Sequence, residues 1–118
     1  MKTESSAASK TELPLRFRQF DQQYPAVMRA YEALGAAAQE AGPLDPKTRE
    51  LVKLGIAIGA RSEGATHSHT RRALEAGATP EEIRHAVLLV TTTLGFPAMM
   101  AAMTWVEDVL GAGLPSKT

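Results

Sequence analysis

The sequence predicts an all-α protein of five to six helices. Apolar residues recur at spacings of three and four, no stretch alternates with period two, and helix stop and start signals punctuate the chain. A length of 118 residues allows one domain, and 20 alanines beside only 5% aromatics suit closely packed helices.

Residues 1–13 are polar and hold no apolar run, so they read as a disordered tail rather than a secretory signal. Phe17 and Phe20 belong to a short helical turn. The first long helix starts near Pro25 and ends before Gly42-Pro43, and Tyr24, Val27, Tyr31, Leu34 and Ala38 form its apolar stripe. Asp45-Pro46 restarts the chain as N-cap and first-turn proline. The run 51–60 has Lys53 as its only charge, so that helix must be covered on most sides. Ser62-Glu63-Gly64 marks a break, and the next helix covers about 65–76 with Gly77 just beyond its end. Thr79-Pro80-Glu81-Glu82 is a start signal, with Thr79 as N-cap and Glu82 completing a capping box. That helix runs to about Leu94. A last helix, 97–110, carries Met99, Met100, Met103, Trp105, Val106 and Val109. Residues 14–111 thus form the domain, and 112–118 a C-terminal tail.

Thirteen basic residues balance thirteen acidic ones, which argues against a nucleic-acid or membrane-surface binder. Cysteine is absent, which excludes disulfides, cysteine-ligated metal sites and thiol catalysis. Residues 86–106 carry no charge and are long enough to span a bilayer, but Gly95-Phe96-Pro97 cuts them in two. Two short buried helices fit better, and the protein is expected in the cytoplasm. Three consecutive helices are apolar over more than one stripe, and a domain of this size buries only about two-thirds of its surface alone. The excess predicts symmetric self-association.

Ser62, Thr66 and His69 fall within about 60° of one another on one helical face. Ser62 also sits at a helix N-terminus, where N–H groups favour an anion. A histidine along that face could exchange a proton with a ligand held at the helix start. The plainer reading makes Ser62 an N-cap and His69 a hydrogen-bonded core histidine. His67 and His69 point to opposite sides of a helix, so they do not share a metal, and no metal is expected. His69 is expected to face inward, flanked by Thr66 and Ala73, and His85 to be solvated or at a subunit contact. Glu50 shares a stripe with Lys53, Ala57 and Arg61. It is either part of a solvent-facing edge or a buried carboxylate orienting a histidine, and spacing leaves both open.

These residues resemble the carboxymuconolactone decarboxylase / alkyl hydroperoxidase D-like family. The likeness rests on Leu44-Asp45-Pro46-Lys47-Thr48-Arg49-Glu50-Leu51-Val52, Ala60-Arg61, His69 with Ala73-Leu74-Glu75-Ala76-Gly77-Ala78-Thr79, Glu81-Glu82-Ile83 and Gly95-Phe96-Pro97-Ala98. It covers about 44–110. In peroxidase-type members a Glu is followed by eleven residues, Cys, two residues, Cys, three residues and His. Here Glu50 and His69 hold the outer positions, while Ser62 and Ala65 stand at the two cysteines. A serine hydroxyl has a far higher pKa than a thiol and forms no disulfide, so thiol peroxidase chemistry cannot run on this chain.

The decarboxylase branch does without the cysteine pair and resembles the chain better. The resemblance implies an alkyl hydroperoxidase D-like bundle forming a trimer or hexamer, and loss of CO2 from a carboxy-lactone followed by reprotonation of the dienolate. His69 is then the proton donor, Glu50 holds its tautomer, and Arg61, Ser62 and Thr66 form the binding surface for a small anionic ligand, without a cofactor. The alternatives are a non-catalytic oligomeric small-molecule binder and a cysteine-less antioxidant relative.

Overall fold

The computed structural model describes residues 15–111, and the two expected tails, together with Pro14 of the expected domain, lie outside them. Every regular element among the described residues is helical. The chain divides into two compact units, Met1–Pro43 and Leu44–Thr118.

In the first unit, α1 (Leu15–Gln23) and α2 (Pro25–Glu40) are nearly continuous. Pro25 has no N–H to give, yet the Tyr24 N–H bonds the Phe20 carbonyl at 2.8 Å and the Met28 N–H bonds the Tyr24 carbonyl at 3.0 Å. Phe20 and Tyr24 stack in a tilted pair with ring centres 5.2 Å apart. The expected stripe is on one face of α2, but Tyr24, Val27, Tyr31 and Leu34 are all exposed. The single turn expected around Phe17 and Phe20 is a full nine-residue helix.

The second unit contains α3 (Pro46–Gly59), α4 (Glu63–Glu75), α5 (Pro80–Leu88), a 3-10 turn (Leu89–Thr92) and α6 (Phe96–Leu110). Asp45 caps α3 by accepting the Thr48 N–H at 3.1 Å. The α3–α4 turn is a Schellman arrangement: the Arg61 N–H bonds the Ile58 carbonyl and the Ser62 N–H bonds the Ala57 carbonyl. Glycine is the usual residue at the left-handed position, but here Arg61 holds it, at φ 59°. The same motif ends α4, this time with Gly77 at φ 100°. The expected capping box forms at Thr79, with Thr79 Oγ1 to Glu82 N at 3.0 Å and Glu82 Oε1 to Thr79 N at 2.9 Å.

Two boundaries differ from expectation. The α4 helix begins two residues earlier, because Ser62 caps it. The α5 helix stops at Leu88 instead of reaching Leu94, and the chain tightens into the 3-10 turn Leu89–Thr92, with Thr93 just past its end. Four consecutive β-branched residues, Val90 and the three threonines after it, crowd the preceding turn of an α-helix, which favours an early end.

The core of this unit gathers Leu54 and Ile58 from α3, Ala73 from α4, Ile83 and Val87 from α5, and Ala98, Met99, Ala102, Val106 and Leu110 from α6. Ala73 and Ala102 are fully buried, and such small side chains let helices approach closely. Thr66 and Thr70 are buried with them. Each donates its hydroxyl one turn back, to the Ser62 carbonyl at 2.8 Å and the Thr66 carbonyl at 2.7 Å, so no polar group is stranded. Lys47 on α3 pairs with Glu82 on α5 at 3.0 Å, and Arg84 on α5 grips Glu107 on α6 through two bonds of 2.6 and 3.2 Å. No helix among the described residues is long and apolar enough to cross a membrane.

Candidate functional site

Helices α3 and α4 pack against each other across the turn at 60–62, with Glu50 in the second turn of α3 and His69 in the second turn of α4. Glu50 and His69 meet there, with Glu50 Oε1 2.9 Å from His69 Nδ1. Both side chains are largely buried, 12% and 19% exposed. Of the two sequence readings of Glu50, the structure therefore selects the buried carboxylate that orients a histidine.

Burial pushes the Glu50 carboxyl up. The His69 hydrogen bond and charge oppose this, Lys53 and Arg72 add to them, and the net position is below the ordinary carboxylate value. An ionised carboxylate only accepts, so His69 Nδ1 carries the proton and donates it. His69 Nε2 has no hydrogen-bond partner among the described residues. No side-chain nitrogen or oxygen described is both sealed and unpartnered, so Nε2 reaches solvent. One ring nitrogen is fixed and the other is free, the arrangement a proton-transfer histidine needs.

A pH dependence follows. Because Glu50 is lowered in the folded state, its contribution to stability is complete above its unfolded value of 4.5 and is lost as pH falls through the folded value. The stability difference between wild type and Glu50→Gln, measured by urea unfolding, is expected to be full near neutrality and to shrink on acidification below pH 4.5. A difference that grows with acid contradicts this linkage.

The other expected residues are placed differently. Ser62 Oγ accepts the Ala65 N–H at 3.2 Å, so its hydroxyl caps α4. Thr66 lies on the same side but is fully buried, its hydroxyl bonded to the Ser62 carbonyl. Arg61 is exposed at the turn, about two helical turns from His69. The two cations whose charge acts on Glu50 are instead Lys53 and Arg72.

His67, on the other side of α4, pairs with Asp108 of α6 at 2.9 Å and has Glu63 at 4.0 Å. Side chains of Glu63, His67 and Asp108 bring one ligand atom each within 4.8 Å of one another, a geometry that could hold a metal ion. Both carboxylates are exposed, and their pairing with His67 accounts for the cluster without one. The expectation of one inward and one outward histidine gives way to two partly buried rings with separate acidic partners. The Asp108 contact had no local signal, because 41 residues separate the pair.

A groove of about 570 Å³ runs between α3, α5 and the 3-10 turn, lined by Leu51, Val52, Ala86, Leu89 and Leu94 with His85 and Thr93 among them. Its α3 residues point about 100–200° away from Glu50, so groove and pair occupy opposite sides of that helix. His85, expected to be solvated or at a subunit contact, is exposed in this groove.

The carboxymuconolactone decarboxylase family matches residues 25–108. The chain belongs to that family. A crystal structure of an apo carboxymuconolactone decarboxylase family protein from Legionella pneumophila superposes with a TM-score of 0.71 at 26% identity, covering 81% of this chain and 86% of that one. A protein of uncharacterised function from Haemophilus influenzae is 46% identical over 57 residues, 48% of this chain and 50% of its own length. A nitrosuccinic acid decarboxylase from Metarhizium robertsii is 41% identical over 71 residues, 60% of this chain and 49% of its own. This family member thus spans about half the length of those two relatives.

Proposed function

We propose that this family member is a decarboxylase-type lyase that acts on a small carboxylate or lactone by proton transfer through His69, with Glu50 as its orienting partner. The observation that carries this reading is the 2.9 Å bond from His69 Nδ1 to Glu50, which leaves Nε2 unpartnered at the surface. In the proposed step the carbon–carboxylate bond breaks, its electron pair stays on carbon, and CO2 leaves. The doubly protonated His69 gives its Nε2 proton to that carbon and becomes neutral, still donating from Nδ1 to Glu50. Solvent then returns the proton. The Glu50 carboxylate balances the charge the ring carries before transfer. Ser62 and Thr66 support this by fixing the start of α4, and Arg61 is an exposed cation available to an anionic ligand.

Such chemistry needs a substrate whose carbanion is stabilised by an adjacent nitro, acyl or lactone group. The relative named for nitrosuccinic acid supports acids of this class. The test is CO2 release from nitrosuccinic acid and from carboxy-lactones by the purified protein. Release above the uncatalysed rate supports the proposal, and absence across the series overturns it. A second reading, a non-catalytic binder, draws on the apolar groove opposite the site. Self-association into a trimer or hexamer belongs to both readings, supported by the exposure of Val52, Ile56, Leu88 and Leu89.

A further inference from the structure

We infer that Thr66 and Thr70 are positioning residues, whose buried hydroxyls set the course of the α4 turn that carries His69 and so hold its ring on Glu50. This deepens the lyase reading and rests on it. The starting observation is polarity where an apolar residue would pack. Thr66 and Thr70 are the two buried polar residues among those described, and both are fully buried. They share a face of α4 with Ala73 of the core. Valine has nearly the same shape and would bury a methyl group in place of each hydroxyl, so packing alone does not ask for threonine.

Both hydroxyls are spent within α4 itself. Thr66 Oγ1 donates at 2.8 Å to the Ser62 carbonyl, which already accepts the Thr66 N–H at 2.9 Å. Thr70 Oγ1 donates to the Thr66 carbonyl at 2.7 Å. Neither hydroxyl bonds another helix among the described residues. Bonds of this kind compete with the helix ladder, weaken it slightly and bend the helix. Thr93 and Thr104 make the same bond at 3.0 Å, but both are exposed, where water is the other available partner. Among the described residues, α4 alone places two such bonds in successive turns and seals them from water.

His69 lies inside this stretch, three residues after Thr66 and one before Thr70. The backbone that carries the ring is therefore the backbone whose carbonyls the two hydroxyls hold. Glu50 comes from another helix, so its 2.9 Å bond to His69 depends on the course of α4 against α3. An N–H···O bond rarely exceeds about 3.2 Å, which leaves a few tenths of an ångström of play. A small change of bend between Ser62 and Thr70 uses up that play while leaving the core filled. The hydroxyls thus contribute direction to α4 where valine would contribute only burial.

The test is the double variant Thr66→Val/Thr70→Val. It strands no polar group, because both carbonyls keep their helix N–H partners. Its urea midpoint is expected at or above that of wild type, while kcat for CO2 release falls at least about tenfold, as misplacement of a reacting group does. The His69 Nδ1–H proton resonance, assigned with His69→Gln, is expected to move upfield as the bond to Glu50 lengthens. Thr66→Ser/Thr70→Ser keeps the hydroxyls and loses the methyls, so it should restore kcat and the resonance at a lower midpoint. Three results overturn the inference: a valine variant with unchanged resonance and kcat, one that unfolds more easily yet keeps wild-type kcat per folded molecule, or a serine variant that restores neither. The lyase reading fails separately. Should the resonance move with valine and return with serine while no acid releases CO2, the positioning stands without the chemistry. Should CO2 be released at an unchanged rate by the valine variant, the positioning alone is wrong.

Discussion

Replacing His69 with alanine is expected to lower CO2 release by about 10²–10⁴-fold, the usual contribution of a positioned general acid or base. The ring is the one group in the α3–α4 seam with both a fixed nitrogen and a free one. Alanine removes the proton donor and leaves Glu50 partly buried beside a gap. Some loss of stability accompanies the loss of rate, because that carboxylate then lacks its partner. His69→Gln separates the two effects. Glutamine can donate a hydrogen bond to Glu50 but cannot shuttle a proton at neutral pH, so its rate should fall as far as that of alanine while its unfolding midpoint falls less. The measurements are initial rates of CO2 release at saturating substrate and urea midpoints on the same preparations. A His69→Gln protein that keeps wild-type kcat assigns the proton to another group.

The largest stability effect is expected at Leu54. Its side chain is fully buried in the core of the second unit, on the α3 helix that also carries Glu50. Leu54→Ala is expected to destabilise the protein by about 2–5 kcal/mol, combining lost burial with the cavity left among its neighbours. Equilibrium urea unfolding should show a lower midpoint at an unchanged slope. A loss below about 1 kcal/mol would mean that the helices close over the gap. Glu50 lies one turn before Leu54, so the cavity also loosens the scaffold of the pair. The variant is therefore expected to lose activity in proportion to its unfolding, with the activity of the folded fraction less affected than in His69→Ala.

The legible part of this protein was local. Asp45-Pro46, Ser62 and Thr79-Pro80-Glu81-Glu82 each act through a hydrogen bond three residues away, so they mark helix starts wherever the chain later packs. Gly77 marks an end for the same reason, since its positive φ suits glycine. Arg61 shows where that logic weakens. It occupies the same left-handed position without glycine, so residue type alone did not announce the turn geometry. The early end of α5 was written in the three threonines, but the uncharged, apolar run around them masked it.

For the candidate site, sequence supplied the cast and not the pairing. Glu50 and His69 are 19 residues apart, and at that distance spacing within a helix carries no information about contact. Whether Glu50 faces water or a histidine depends on the hairpin between α3 and α4, and so does the neighbourhood of Lys53 and Arg72. His67 depends in the same way on the packing of α6, which brings Asp108 to it.

By itself the amino-acid order determined the all-helical class, most helix boundaries and the absence of thiol chemistry, because those follow from backbone hydrogen bonding and side-chain composition within a few residues. Tertiary structure alone decided that Glu50 is buried against His69, and that Ser62 and Thr66 spend their hydroxyls on the α4 backbone. The physical reason is that burial and charge pairing depend on distance in space, and only the packing of the two helices converts these separated residues into neighbours.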